Sequence, residues 1–247
     1  KGFASSDKVI EAGFYTQYTS HCALEPHAAV SYLDGKGRLV IISTTQVPYH
    51  ARRITARLTR IAVSKIRVIK PRIGGGFGGK QEVILEPYVA LVTWRTKHPA
   101  KAVLSRNEVF TFTRTRHPFR IKIKAGYNRD GAINSLYYQA LQNTGAYGTH
   151  SLTVLSNSGS KVLPMLNKIP NLKFDGKSVY TNLPIGGAYR GYGASQGYFG
   201  YGQIVDMIAA DTHIDPVDFY KRYAIKRGET SPIFKALGEG REGVEMK

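Results

Sequence analysis

Phe119-Arg120-Ile121-Lys122-Ile123-Lys124-Ala125 alternates strictly between apolar and polar positions, the period-two pattern of a strand with one wet face. The turn Asn128-Arg129-Asp130-Gly131 follows, and Ile133 to Leu141 resumes an apolar-rich run, so an antiparallel hairpin is predicted. Upstream, Arg38-Leu39-Val40-Ile41-Ile42-Ser43 lies behind the turn Asp34-Gly35-Lys36-Gly37 and predicts another strand, with Gln46 just beyond it. Ile54, Leu58 and Ile61 give helical spacing between Pro48 and Ala62, with Pro48 in the first turn. Lys65 to Lys70 predicts a strand that runs straight into a glycine run, and Ile84, Leu85, Tyr88, Leu91, Val92 and Arg95 predict a helix after it, with Pro87 near its start. A second glycine-rich passage, Gly186 to Gln196, precedes an apolar helix through Ile204, Ile208 and Ala209. A last helix opens at Asp215-Pro216, with Asp215 as its N-cap. No internal repeat is seen, and this mixture of hairpin strands and separate helices predicts an α+β fold over residues 1–227, followed by a loose polar tail, 228–247.

Composition narrows the class. The chain has 247 residues, 42% of them hydrophobic, enough to bury a full core. No run of 18 or more apolar residues occurs, and the first residues lack the basic-then-apolar layout of a signal peptide, so a cytoplasmic protein away from membranes is expected. A single cysteine, Cys22, excludes an internal disulfide and any cysteine cluster for zinc or iron–sulfur, and a reducing compartment fits it. The net charge of +18 admits nucleic acid, an acidic partner or an anionic ligand. Its distribution favours solvated faces: Arg52, Arg53, Arg57 and Arg60 follow one helix, while Lys65, Arg67, Lys70, Arg120, Lys122 and Lys124 alternate with apolar residues.

The chemistry centres on Gly74-Gly75-Gly76-Phe77-Gly78-Gly79, followed by Lys80 and Gln81. Glycine loses more conformational entropy on folding than any other residue, so such a run between a strand and a helix suggests a backbone cradle for an anionic or metal-bound ligand. It is not a Walker loop, because Gln81 stands where a Ser or Thr must reach magnesium, and Phe77 is awkward under a dinucleotide pyrophosphate. His-Glu-x-x-His is absent, and the seven histidines are scattered.

The glycine run, with Leu24-Glu25-Pro26-His27-Ala28-Ala29 before it, Thr115-Arg116-His117-Pro118-Phe119 after it, and Thr181-Asn182-Leu183-Pro184 leading into Ala188-Tyr189-Arg190-Gly191-Tyr192-Gly193, strongly resembles the molybdenum hydroxylases, the xanthine dehydrogenase and aldehyde oxidase family. The likeness covers nearly the whole chain and matches the first of two molybdopterin-binding domains in that family's large subunit. It implies that Phe77, through its peptide N–H, and Gln46, through its side-chain amide, sit beside the molybdenum's ligands as catalytic residues. By the same resemblance Gly75, Gly76, Gly78, Ala188 and Arg190 line the molybdopterin, and Gln81 and Tyr192 face substrate. Glu25 reads as a structural carboxylate outside the metal centre. Gln81 replaces the glutamate of mammalian xanthine oxidases, which points to a bacterial-type enzyme acting on a purine-like nitrogen heterocycle. The substrate arginine of those enzymes has no counterpart: Ser158 stands at its spacing, and Lys161 is a nearby substitute.

The resemblance further implies hydroxylation of an electron-poor carbon of a nitrogen heterocycle (purine- or xanthine-like) or an aldehyde, with electrons leaving through iron–sulfur clusters to FAD on other domains or subunits. The general-base glutamate belongs to the second molybdopterin domain; Gly238-Glu239 has the wrong flanks to supply it. The chain is thus expected to be a subunit or piece that is inactive alone, with that second domain as a partner. The alternative is a basic nucleic-acid-binding or scaffold domain without catalysis.

Overall fold

The alternation at Phe119–Ala125 becomes a central strand of a four-stranded sheet in a computed structural model that describes residues 2–166, 168–231 and 233. Most of the tail 228–247, including Gly238-Glu239, lies outside the described residues. The chain divides into two compact units, the first built from the segment up to Tyr18, His117–Leu183 and the segment from Gly191, the second from Thr19–Arg116 and Pro184–Arg190.

In the first unit the sheet order is β1 (Lys8–Thr16), β7 (Phe119–Tyr127), β8 (Ile133–Gly145) and β9 (Asn171–Tyr180). The predicted hairpin is β7–β8, closed by Gly131, whose φ of 86° and N–H bond to the Asn128 carbonyl (2.9 Å) make the turn. β9 pairs parallel with β8, so the chain must cross over between them, and α4 (Ser151–Ser160) lies in that crossover. Phe119, Ile121 and Ile123 are buried in one core with Tyr201, Ile204, Val205 and Ile208 of α5 (Ala194–Asp211), while Arg120 and Lys122 stay exposed, as the alternation predicted. Burying an isoleucine of this kind contributes about 1.5–3 kcal/mol. α6 (Pro216–Tyr223) starts as expected: the Asp215 carboxylate accepts from the N–H groups of Val217 (2.9 Å) and Asp218 (3.3 Å).

The second unit carries a sheet ordered β4 (Ile66–Ile69), β3 (Leu39–Ser43), β2 (Ala28–Leu33) and β5 (Ala100–Val103), with α1 (Pro48–Thr59), α2 (Glu86–Thr96) and α3 (Arg106–Phe112). β3 and β4 are parallel, and α1 is the crossover between them. Two short strands, β6 (Thr115–Arg116) and β10 (Gly186–Gly187), pair in parallel and bring the Ala188–Arg190 segment into this unit. Two helix expectations need correction. α1 ends at Thr59 because Arg60 turns left-handed (φ 60°), so the helix does not reach Ala62. The buried faces of α1 and α2 are also small-residue faces, Ala51, Thr55 and Ala56 on one and Val89, Ala90 and Thr93 on the other, whereas Leu58, Tyr88, Leu91 and Val92 are exposed in this chain.

Candidate functional site

Between β4 and α2 the glycine run folds into a loop in which two sets of backbone donors stand out. The Gly78 and Lys80 N–H groups both donate to Gln46 Oε1, at 3.0 and 3.2 Å, and the Gln46 N–H donates to the Lys80 carbonyl at 2.8 Å. Gln46 therefore does not cap α1, whose N-cap, Val47, provides no side-chain bond. With Oε1 occupied by two donors, the amide is fixed in orientation and its Nε2 hydrogens remain to be given elsewhere. The second set lies earlier in the loop. Among the described residues, the N–H groups of Gly75, Gly76 and Phe77 have no protein acceptor, although Gly76 is buried. A buried backbone donor left unpaired costs about 1–3 kcal/mol, a cost that a bound acceptor would relieve at Gly76, with the N–H groups of half-buried Gly75 and exposed Phe77 on either side of it.

Close approach explains the glycines. A Cβ at Gly76 would stand 2.6 Å from Gln46 Oε1, and at Gly78, whose φ is +98°, it would meet the Ala188 carbonyl oxygen at 2.8 Å. Phe77 takes a left-handed φ of 51°, accepts from the Arg190 N–H through its own carbonyl (2.9 Å), and leaves its ring half exposed. The sequence expectations Gln46, Gly75, Gly76, Phe77, Gly78, Ala188 and Arg190 thus fall on one connected piece of backbone, with the Arg190 side chain exposed. Gln81 follows directly, half-buried, its N–H bonded to the Gly78 carbonyl at 3.1 Å.

A layer of side chains holds this backbone from behind. Lys80 is 1% exposed and its ammonium pairs with Glu25 Oε2 at 2.7 Å, the same oxygen that accepts from the Gly74 N–H at 2.8 Å. Burial pushes the Glu25 carboxyl upward, but the Lys80 and Gly74 hydrogen bonds outweigh it and hold the group below the usual carboxylate range. His27 Nε2–H donates to the Gly79 carbonyl (3.0 Å) and His21 Nε2–H to that of Ala188 (2.7 Å). Burial is the main reason both imidazoles titrate below the ordinary histidine range, reinforced at His27 by Lys80, Arg106 and Arg114. Arg116 stacks on the Tyr189 ring, 4.0 Å from its centroid, and donates to the Arg190 carbonyl. Glu25 has the structural part expected of it. Lys80, His21 and Arg116 had drawn no such reading, and the clue to Lys80 was the Gly79-Lys80 pair set aside with the Walker motif.

Tyr192 belongs to the first unit, where its hydroxyl bonds His150 Nδ1 and its carbonyl accepts from Asn157 Nδ2 (3.1 Å). Ser158 is fully buried with its hydroxyl on the Leu155 carbonyl (2.7 Å), while Lys161 is exposed. A cleft of about 820 Å³ in that unit lies over the wet face of its sheet and is lined by none of the glycine-loop residues.

The sequence matches the molybdopterin cofactor-binding domain family over residues 1–224. The chain belongs to this family. It is 37% identical to the xanthine dehydrogenase molybdenum-binding subunit of Escherichia coli O157:H7 over 230 residues, which are 93% of this chain and 30% of that protein. It is 35% identical to the nicotinate dehydrogenase large molybdopterin subunit of Eubacterium barkeri over 217 residues, 87% of this chain and 51% of that one. The fold matches an aldehyde oxidoreductase from Desulfovibrio gigas with a TM-score of 0.88 at 26% identity, covering 94% of this chain and 25% of that one. The chain therefore spans between about a quarter and a half of the length of these relatives. Among the described residues no helix is long and apolar enough to cross a membrane.

For a molybdopterin cofactor-binding domain, the glycine loop is chemically apt. The cofactor presents phosphate oxygens and the oxygen and sulfur ligands of its metal, all acceptors, and the loop offers unpaired N–H donors on a backbone that Cβ atoms would block. Neutral donors satisfy such acceptors without adding a charge that would bias the metal.

Proposed function

We propose that this chain is the first molybdopterin-binding domain, residues 1–227 with the tail 228–247 leading onward, of a molybdenum hydroxylase that acts on an electron-poor carbon of a purine-like nitrogen heterocycle. It contributes half of the cofactor site. The observation that carries the reading is the row of unpaired N–H groups at Gly75, Gly76 and Phe77 beside the oriented Gln46 amide. When bound, the cofactor supplies the two-electron redox chemistry. The residues of this chain hold and orient it: Phe77 N–H and Gln46 Nε2 toward the metal's ligands, Gly75, Gly76 and Gly78 by close approach, Ala188 by seating Gly78, and Arg190 by offering a guanidinium to anionic oxygens. Gln81 and Tyr192 face the substrate, Gln81 as an amide that both donates and accepts along a heterocycle edge.

The general base, the second molybdopterin domain, and the iron–sulfur and FAD centres are supplied by other domains or subunits, so the chain alone is inactive. A cytoplasmic setting suits its lone, exposed cysteine. The experiment is to express the chain with its adjoining coding region in a host that makes the cofactor, then measure bound molybdenum and turnover of hypoxanthine against an aromatic aldehyde. Molybdenum in the purified enzyme, lost on combining Gln46→Ala with Arg190→Ala, and faster turnover of the purine are expected. Absence of molybdenum, or full retention in the double variant, overturns the cofactor reading; turnover of the aldehyde alone overturns the heterocycle.

A further inference from the structure

Sequence pattern assigns Arg52, Arg67 and Lys70 to solvated faces, but the fold gathers them. The parallel register Leu39↔Ile66 and Val40↔Arg67 sets the start of β3 beside β4, and α1 crosses over both. The result is a cleft of about 310 Å³ in the second unit, lined among others by Arg38, Tyr49, Arg52, Arg67 and Lys70 and by no carboxylate. Arg52 is held in place: its Nε donates to the Ile66 carbonyl and its Nη2 to the Val63 carbonyl, both at 2.8 Å. Arg38 is steadied at 2.9 Å by Asp34. Arg67 and Lys70 are exposed and, among the described residues, make no ion pair. Tyr49, 86% exposed, presents its ring at the rim.

Arg38 has Asp34 as its counter-ion, but Arg52, Arg67 and Lys70 around the same concavity have none among the described residues and repel each other, and backbone carbonyls hold Arg52 in position instead of letting it swing into water. Such an arrangement is relieved by an oxyanion, and fixed guanidinium forks suit phosphate oxygens better than a diffuse acidic surface. The exposed ring beside them suits a flat heterocycle. We infer that this cleft binds a phosphate-bearing ligand of the nucleotide class, the phosphates between Arg38, Arg52, Arg67 and Lys70 and the base against Tyr49. The site is independent of the glycine loop and of the reaction proposed above.

Calorimetric titration of the protein with pyrophosphate, ADP and adenosine tests this. Pyrophosphate and ADP should bind and adenosine should not. Combining Arg67→Ser with Lys70→Ser should weaken both ligands by about tenfold or more, while Tyr49→Ala should weaken ADP several-fold and leave pyrophosphate unchanged. In the unaltered protein, pyrophosphate should protect Lys70 from acetylation, a readout that needs no variant. No binding below about 10 mM, equal binding of adenosine and ADP, or unprotected Lys70 would overturn the inference; cations shielded only in the assembled enzyme would assign the cleft to an acidic protein surface instead.

Discussion

Gly37 and Gly78 both hold left-handed backbone, with φ of 69° and 98°, yet replacing them by alanine should cost different amounts. At Gly37 a Cβ meets nothing within 4 Å, so Gly37→Ala carries only the left-handed penalty, about 1–2 kcal/mol. At Gly78 the same Cβ lands 2.8 Å from a carbonyl oxygen in a packed loop, and Gly78→Ala should lose at least about 2 kcal/mol more. Urea unfolding of the two variants checks the difference. A second residue-scale expectation concerns acid. His21, His27 and His117 are held below the usual imidazole pKa, chiefly by burial, so the unfolded chain binds more protons than the folded one as pH falls below about 6.5. Their stability is therefore complete above that value and is lost as pH drops through their folded-state values. Unfolding free energy should be lower at pH 5.5 than at pH 7.5, and His27→Asn should flatten part of that slope.

At the scale of elements, the Asp215 cap satisfies two N–H groups at the start of α6, and Asp215→Ala should cost about 1 kcal/mol, read as a lowered thermal midpoint. The helices of the second unit give a sharper contrast. Leu58→Ser on the exposed face of α1 should change stability by less than about 0.5 kcal/mol, whereas Ala90→Leu on the buried face of α2 should destabilise by about 1–3 kcal/mol through overpacking. Denaturant titrations of the pair check the orientation of both helices. Sequence pattern predicted that these helices exist but misjudged their rotation, because periodicity weighs large apolar residues and is blind to Ala51, Ala56 and Ala90, whose small size permits close packing. The β7–β8 hairpin was legible because its turn and its alternation are local. β1 and β9 drew no prediction: their partners lie far along the chain, and pairing of that kind leaves little trace in neighbouring residues.

At the scale of the molecule, the glycine run was legible as a candidate site because glycine is costly unless backbone must come close, and Gln46 only through the family resemblance. Of the layer behind them only Glu25 drew a reading, since His21, His27 and Lys80 act through carbonyls and a carboxylate that only folding brings near. The charge of +18 bears on the proposed partner domain. Association with the proposed second domain should weaken as salt rises from about 0.05 to 0.5 M, because surface attraction is screened over roughly a Debye length; sedimentation across that range checks it. The path of the chain has its own consequence. The first unit opens with β1, whose first residue pairs with Tyr127, and the whole of Thr19–Arg116 must be made before β7 exists. At ribosomal speed that wait is on the order of ten seconds, during which an amphipathic strand hangs unpartnered from the nascent chain. The glycine-loop unit is itself incomplete until Pro184–Arg190 emerges, so neither half can finish before the other has begun. Translation of this stretch thus exposes a sticky edge that a holding chaperone would shield, and release of a chain truncated near Arg116 should yield aggregates rather than a smaller folded domain.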